Sequence, residues 1–283
     1  MDGLPFTKMH GLGNDFVVVD GRAMPAALSP AQYRAVGDRR RGVGYDQFLT
    51  ILPARNGGAA YMAIHNPDGS EAQACGNGTR CVASLLMREA GTAEVAIETV
   101  AGRLVCTDAG DGRVTVDMGP ARLGWDEIPL APAEDGAEAD TLSFEIPGAE
   151  AFGPATAVNI GNPHAVFFVP DAEAVELAAV GPGIEHSPVF PERANIEFVT
   201  VLAPDRLRMR VWERGAGITQ ACGSGACATL VAAARRGLTG RRATVVLDGG
   251  PLEIWWRPDG HVEMTGPVAT SFAGILDADL LAV

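Results

Sequence analysis

Short runs of alternating or continuous apolar residues recur along the chain, and most contain Val, Ile, Phe or Thr. Gly, Pro, Asp and Asn separate these runs, which is typical of β-strands joined by turns. The runs that predict strands are FVVVD, FLTIL, YMAIHN, EVAIETV and RVTVDM in the first half and AVFFV, EFVTV, RMRVWE, TVVLDG, LEIWW and HVEMTG in the second. The framework of the protein is therefore predicted to be β-sheet.

Two segments depart from this pattern and predict one helix in each half, TRCVASLLMREAG and ACATLVAAARRG. Each has basic residues near its end, Arg88 in the first and Arg235 and Arg236 in the second, and then a glycine, Gly91 or Gly237, which is a typical signal for the end of a helix. The second segment is apolar or small on nearly every face. A helix has that composition when a strongly curved sheet surrounds it.

The two halves of the chain are related by an internal repeat. The segment MAIHNPDGSEAQACGNG, which starts at Met62, aligns without a gap with MRVWERGAGITQACGSG, which starts at Met209, at an offset of 147. GNDFVVVD aligns with GNPHAVFF at an offset of 148, and FLTIL aligns with FVTVL at an offset of 150. A unit of about half the chain, repeated once, indicates a duplicated domain and not a solenoid.

These patterns together predict an α+β fold with two pseudo-symmetric lobes. Each lobe is expected to be a barrel-like, mostly antiparallel sheet wrapped around a central helix. The predicted N-terminal lobe consists of residues 1–120 and 268–283, and the predicted C-terminal lobe consists of residues 121–267. The acidic, Ala- and Pro-rich stretch at 131–140 is predicted to be an exposed loop.

Composition and charge narrow the classes of function. Of 283 residues, 35 are acidic and 22 basic, and the net charge of −13 disfavours binding to nucleic acid or to an anionic membrane surface. No apolar run approaches the roughly 18 residues that a membrane span needs, and the first residues lack the pattern of an export signal. We therefore expect a cytoplasmic protein that acts on a small molecule.

The five cysteines are Cys75, Cys81, Cys106, Cys222 and Cys227. An odd number without an export signal favours free thiols over disulfides. Their spacings, C-x₅-C and C-x₄-C, differ from the C-x₂-C pairs of structural zinc sites, so no metal is predicted. Lys8 is the only lysine, which disfavours a pyridoxal enzyme, and no cofactor is predicted.

The repeated motif Q-A-C-G-x-G places Cys75 and Cys222 just before the two predicted helices. The positive end of a helix can lower the pKa of a thiol to roughly 3.5–7.5. Two acid/base groups on opposite sides of one carbon are what racemisation or epimerisation requires, with one present as thiolate and the other as thiol. The backbone amides of the following residues would hold the substrate carboxylate; these residues are Gly76, Asn77, Gly223 and Ser224.

In order along the chain, FTKMHGLGNDFVVVD, RRRGVGYDQ, NPDGSEAQACGNGTRC, NIGNPHAV, NIEFV, WERGAG, ACGSGACA and MTGP resemble the diaminopimelate epimerase family. The resemblance covers essentially the whole chain. It implies conversion of LL-2,6-diaminopimelate to the meso isomer without a cofactor, in the synthesis of lysine and peptidoglycan precursors, with Cys75 as base and Cys222 as acid. It also implies a homodimer.

The resemblance further implies roles for residues outside the cysteine loops. His164 and Glu213 would assist proton movement beside the thiols. The residues implied to bind substrate are Asn14, Gln47, Asn66, Asn162, Asn195, Glu213 and Arg214. One cation, one acid and several neutral amides suit a substrate with two carboxylates and two ammonium groups.

Two alternatives remain open at this stage. The first is an isomerase of the same fold that acts on another amino acid, and the second is a thiol redox protein in which Cys75 and Cys222 form a reversible disulfide. A two-lobed enzyme of this kind is also expected to close on its substrate, since both thiols must reach one carbon and water must be excluded.

Overall fold

A computed structural model describes residues 3–23, 27–72, 75–132 and 139–283. The chain divides into two compact units, Met1–Val116 with Thr265–Val283, and Asp117–Met264. Most of the loop predicted at 131–140 falls on 133–138, outside the described residues. Gln73 and Ala74 of the repeated motif also lie outside them.

The described residues form sixteen strands, four α-helices and a short 3₁₀ turn at Glu150–Phe152. In chain order, the strands and α-helices are β1 Leu4–Gly11, β2 Asn14–Asp20, α1 Pro30–Gly37, β3 Gln47–Leu52, β4 Ala60–His65, α2 Gly76–Ala90, β5 Glu94–Thr99, β6 Gly102–Gly110, β7 Arg113–Pro120, β8 Ala155–Asn159, β9 Pro163–Phe168, α3 Leu177–Glu185, β10 Asn195–Ala203, β11 Arg206–Glu213, β12 Gly217–Ile218, α4 Gly223–Arg235, β13 Arg242–Leu247, β14 Gly250–Trp256, β15 His261–Pro267 and β16 Ala269–Leu276.

Both units have the same succession of strand pairings. In the first unit, β1 to β6 are neighbours in chain order and pair antiparallel, parallel, antiparallel, parallel and antiparallel. In the second unit, β8, β9, β10, β11, β13 and β14 follow the same succession. Antiparallel pairs are in the majority, as predicted. The sequence repeat is thus a repeat of the backbone topology.

The strand register corrects one part of the sequence alignment. Phe48 on β3 pairs with His65 on β4, and the corresponding pair in the second unit is Ile196 and Trp212. The third strands of the two units are therefore related by an offset of 148, and the offset of 150 predicted from FLTIL and FVTVL is wrong. Side chains alternate between the two faces of a strand, so a shift of two residues leaves every side chain on the same face.

The central helices α2 and α4 begin three residues earlier than predicted. The glycine directly after each cysteine is the first helical residue, and the cysteine itself is the N-cap. α2 ends as expected at Gly91, whose φ of 64° is left-handed. Helix α4 contacts six strands of its unit, from β8 to β14, and its side chains from Ala226 to Ala233 are buried. The sheet therefore wraps around the helix, which confirms the predicted fold class.

Two further helices were not predicted. α1 starts with a capping box in which Ser29 accepts a hydrogen bond from the backbone of Gln32 while the Gln32 side chain accepts from the backbone of Ser29. This signal, with Pro30 at the first position, was readable in the sequence. α3 contains Pro182 between two glycines, a composition that disfavours a helix, and burial of Leu177 and Ile184 in the core offsets that preference.

The apolar core of the first unit includes side chains from its last strand as well as from its first half. β16 pairs with β1, and Leu276 packs in a cluster with Phe6, Val17 and Phe48. Burial of each such side chain contributes roughly 1.5–3 kcal/mol to stability. Within the described ranges, no helix is both long enough and apolar enough to cross a membrane.

Candidate active site

Cys75 lies at the start of α2 as its N-cap. Its sulphur accepts a hydrogen bond from the backbone N–H of Gly78 at 3.3 Å, and its carbonyl accepts one from the Thr79 hydroxyl at 2.9 Å. The N–H groups of Gly76 and Asn77 belong to the first turn, where backbone donors lack acceptors within the helix. Cys75 as a residue is partly exposed.

Three side-chain amides surround this thiol, and with Cys75 they form what we name the first cluster: Asn14, Gln47, Cys75 and Asn77. The sulphur lies 3.7 Å from Oε1 of Gln47 and 4.0 Å from Oδ1 of Asn14. Nδ2 of Asn77 donates to Oδ1 of Asn14 at 3.1 Å. The structure thus brings together four of the residues predicted from the sequence.

A network of charged residues holds Asn14 in place. Oδ2 of Asp46 accepts from Nδ2 of Asn14 at 2.8 Å, and Oδ1 of Asp46 accepts from Arg39 at 2.7 Å. Arg39 and the buried Lys8 also bind Asp15. Burial alone would raise the pKa of Asp15, but hydrogen bonds from Arg39 and Lys8 outweigh burial and lower it. Asp46 was not among the residues predicted from the sequence, although it adjoins Gln47.

Among the described contacts, Asn66 forms no hydrogen bond with a residue of the first cluster. It follows β4 in a tight turn, where its Nδ2 donates to the Ser70 hydroxyl at 3.1 Å and its backbone N–H donates to the Ser70 carbonyl at 2.9 Å. The described contacts give Asn66 a local structural role. Its predicted substrate contact stays a prediction.

Cys222 occupies the equivalent position at the start of α4. Its sulphur accepts from the backbone N–H of Gly225 at 3.3 Å and lies 3.6 Å from Oγ of Ser224. Gly223 provides the first helical N–H, as Gly76 does in α2. Unlike Cys75, this residue is buried and only 4% exposed.

Ionisable groups accompany Cys222, and we name the set the second cluster: His164, Glu197, Glu213, Cys222 and Ser224. Nδ1 of His164 lies 2.6 Å from Oε1 of Glu197, and both residues are fully buried. Nε2 of His164 lies 3.0 Å from Oδ1 of Asn162. Glu197 was not among the residues predicted from the sequence. An acidic residue amid the apolar pattern of NIEFV was the signal that could have identified it.

Glu213 contacts both the thiol and a neighbouring hydroxyl. Thr219 donates to Oε1 of Glu213, and Cys222 forms a hydrogen bond with the same carboxyl group. Burial raises the pKa of Glu213, while the hydrogen bonds from Thr219 and Cys222 act in the opposite direction. A carboxyl group beside a thiol can exchange a proton with it.

The pKa of Cys222 contradicts the expectation from its helix terminus. Complete burial, followed by the charges of Glu213 and Glu197, raises the pKa of Cys222 well above its ordinary value. The hydrogen bonds from Ser224 and Gly225 lower it, but they are weaker than burial. Cys222 therefore carries its proton at neutral pH, because desolvation of the thiolate outweighs the helix N-terminus. A protonated thiol is able to act as an acid.

Asn195 and Arg214 are brought together in the second unit. Oδ1 of Asn195 accepts from the backbone N–H of Arg214 at 2.7 Å, and the Arg214 guanidinium donates to the carbonyl of Glu192 at 2.9 Å. This places a guanidinium immediately after Glu213 in the chain. The side chain is partly exposed, so it retains N–H groups for a carboxylate ligand.

The other cysteines are buried in the cores of their units. Cys81 and Cys227 lie inside α2 and α4, and Cys106 lies on β6. None of the five cysteines, all of which lie in the described ranges, forms a disulfide. Within the described part of the chain, no group of three or more His, Cys, Asp or Glu side chains is arranged to hold a metal ion.

Solved structures with the same duplicated α+β fold include isomerases. A predicted epimerase from Pseudomonas aeruginosa has a TM-score of 0.67 and 19% identity, and covers 96% of this chain and 99% of its own. A probable proline racemase from Agrobacterium radiobacter has a TM-score of 0.69 and 16% identity, and covers 99% of this chain and 94% of its own. The fold is thus that of the two-lobed epimerases and racemases.

Sequence comparison identifies the family within this class. Residues 6–124 and 156–271 match the profile described as diaminopimelate epimerase. Proteins named diaminopimelate epimerase are 60% identical in Rhodospirillum centenum, over 98% of this chain and 93% of theirs, and 56% identical in Phenylobacterium zucineum, over 97% and 98%. The chain belongs to the diaminopimelate epimerase family and is an isomerase.

Proposed function

We propose that the protein converts LL-2,6-diaminopimelate to meso-diaminopimelate with Cys75 and Cys222 as its two acid/base groups. The observation that carries this proposal is the repeated placement of a cysteine as N-cap of a central helix in two units of the same topology. The names of the relatives at 49–60% identity support the substrate. These names favour diaminopimelate over another amino acid as the substrate, and they favour epimerisation over a redox role.

In the proposed reaction, the Cys75 thiolate takes the α-proton and the C–H electron pair remains on the α-carbon. The Cys222 thiol then delivers its proton to the opposite face of that carbon, which leaves Cys222 as thiolate and Cys75 as thiol. Backbone N–H groups at the starts of α2 and α4 would hold the α-carboxylate, and each such donor contributes about 10²- to 10³-fold in rate. The amides of the first cluster would orient the substrate.

The distribution of charge supports this assignment of roles. Cys75 is partly exposed and lies among neutral amides, whereas Cys222 is buried beside two carboxyl groups. A thiol with a raised pKa retains the proton that it must donate. His164 and Glu213 would return a proton to Cys222 or remove one from it between turnovers, in line with their hydrogen-bonded positions.

The test is proton NMR of the reduced, pyridoxal-free protein with LL-diaminopimelate in D₂O. We expect meso product that carries deuterium at the inverted carbon, with little deuterium in the remaining substrate at early times, because the incoming proton comes from the second thiol. Neither exchange nor product, with protein shown to be folded and reduced, would contradict the proposed function.

Arg214 is proposed to bind a substrate carboxylate, and its replacement by lysine should raise KM about tenfold with a smaller effect on kcat. Lysine keeps the charge but loses the planar fork that binds a carboxylate with two hydrogen bonds. Steady-state kinetics would measure the change. The control is Arg241→Lys, since Arg241 stacks on Trp256 3.9 Å from the ring centroid. Unchanged KM in Arg214→Lys would contradict the role.

We also propose that the protein works in the cytoplasm as a homodimer. Acid/base chemistry by Cys75 and Cys222 needs both thiols reduced, and a reducing compartment favours that state. Sedimentation velocity of the reduced protein would give the oligomeric state.

A further inference from the structure

The surroundings of Cys75 and Cys222 differ at two fully buried positions. Phe16 on β2 and Gln47 on β3 are register partners, and the corresponding partners in the second unit are His164 and Asn195. Two residues further along each strand lie Leu49 and Glu197 respectively. An apolar pair in the first unit, Phe16 and Leu49, is thus replaced by an ionisable pair in the second, His164 and Glu197, and all four residues are 0% exposed.

The contacts of the central helices confirm that Leu49 and Glu197 are equivalent. A Cβ atom on Gly78 would lie 2.9 Å from Cδ1 of Leu49 and 3.2 Å from the Cys75 sulphur. A Cβ atom on Gly225 would lie 2.8 Å from Oε1 of Glu197 and 3.2 Å from the Cys222 sulphur. Each side chain therefore packs on the glycine whose N–H binds the cysteine sulphur.

The carboxylate of Glu197 is costly at this position. Oε1 lies 2.6 Å from Nδ1 of His164, while Oε2 is buried and has no hydrogen-bond partner among the described residues. A buried polar atom without a partner costs about 1–3 kcal/mol, and Leu49 fills the same position in the first unit without that cost. A stability role does not account for an acid here.

We infer that Glu197 is a positioning residue for proton donation by Cys222, through its own charge and through its hydrogen bond to His164. With its partner His164 and with Glu213, it keeps Cys222 in the thiol form, whereas the apolar pair beside Cys75 exerts no such charge. The pair His164 and Glu197 thereby makes the roles of the two cysteines unequal. This inference rests on the proposed function.

The charges around the Cys222 thiol determine the direction in which Glu197 changes the pH dependence of activity. Glu197 on β10 and Glu213 on β11 both disfavour the Cys222 thiolate. Their charges are the largest causes, after burial, of the raised pKa of Cys222. His164 on β9 is the remaining titratable group of the second cluster, and it interacts electrostatically with Glu213. Activity falls at high pH when the acid loses its proton. This fall is the alkaline limb of the pH profile of activity. A neighbouring carboxylate therefore moves the alkaline limb to higher pH.

Glu197→Gln should move the alkaline limb of the kcat/KM profile to lower pH by about one unit, because a carboxylate charge beside Cys222 is removed at constant side-chain size. Above the limb, kcat/KM should fall about tenfold relative to wild type. KM at the optimum should stay within about twofold, since Glu197 does not touch substrate. The double variant His164→Phe/Glu197→Leu installs the first unit's pair and should shift the limb at least as far.

Two further variants separate charge from folding. Glu197→Asp keeps the charge and should keep the wild-type limb even where kcat falls. Glu98→Gln removes another buried carboxylate, one that accepts from three backbone N–H groups in the first unit, and should leave the limb in place. A wild-type limb in Glu197→Gln, a displaced limb in Glu197→Asp, or an equal shift in Glu98→Gln would overturn the inference. An inactive wild type would instead contradict the proposed function.

Discussion

Replacement of either Cys75 or Cys222 by serine should lower kcat for epimerisation at least a thousandfold while the protein stays folded. A hydroxyl is a far weaker acid than a thiol, so serine at Cys75 is not ionised at neutral pH and serine at Cys222 is a poor proton donor. A positioned acid or base contributes about 10²- to 10⁴-fold, and both groups act in one turnover.

Isotope exchange would then assign the two thiols. Cys222→Ser retains the proposed base for the LL isomer, so LL-diaminopimelate in D₂O should still exchange its α-proton slowly without inversion. Cys75→Ser should not exchange the LL isomer, but it should exchange the meso isomer at the carbon that is inverted. Exchange with the opposite pattern would reverse the assignment of base and acid.

The matched control for the cysteines is Cys106→Ala. Cys106 is a fully buried thiol on β6, and its loss should affect stability and leave kcat near the wild-type value. If Cys75→Ser and Cys222→Ser both kept wild-type activity, the two-thiol mechanism would be wrong, whatever the control showed.

Alanine at Gly225 should lower kcat/KM about a hundredfold, and alanine at Gly78 should have a comparable effect. The added methyl group would lie 3.2 Å from the cysteine sulphur in each case, and 2.8 Å from Glu197 in the second unit or 2.9 Å from Leu49 in the first. The first turn of the helix must shift to relieve these contacts. That shift moves the N–H donor away from the sulphur and displaces the thiol from its reactive position.

Thermal melting would separate this effect from loss of fold. Overpacking of a tight site costs about 1–3 kcal/mol, which lowers Tm by several degrees in a protein of this size without unfolding it at 25 °C. Gly183→Ala is the control, because Gly183 lies in α3 and its Cβ position has no atom within 4 Å apart from its chain neighbours and the nearby backbone of the same helix, so alanine there should be neutral or stabilising. Wild-type activity in Gly225→Ala would show that the close packing at this turn is not needed.

The central helices show which structural features the local sequence pattern predicts and which it does not. Each cysteine loop followed by an apolar segment and a terminal glycine predicted a helix inside a curved sheet, and the structure confirms both helices. The same pattern did not show that the glycines after the cysteines are themselves helical. Glycine is a poor helix former in isolation, and hydrogen bonds to the sulphur and to the carbonyl of each cysteine, within a packed sheet, fix the first turn.

The offset error at β3 and β10 has a related cause. Side chains alternate with a period of two, so offsets of 150 and 148 place each side chain of β3 on the same face, and FLTIL resembles FVTVL more closely than IEFVT, the segment that occupies its place in the second unit. Hydrogen bonds to the neighbouring strands decide the register. The error concealed the equivalence of Leu49 and Glu197, and with it the buried acid of the second cluster.

By itself, the sequence determined the duplication, the α+β framework, the two cysteine loops and the family, because these depend on residue identity and periodicity along the chain. Only the tertiary structure decided the state of the groups around the thiols. The helix terminus predicts a lowered pKa for both cysteines, yet the pKa of Cys222 is raised by its burial and by Glu213 and Glu197. Desolvation and neighbouring charge depend on residues far apart in the chain, and folding alone brings them together.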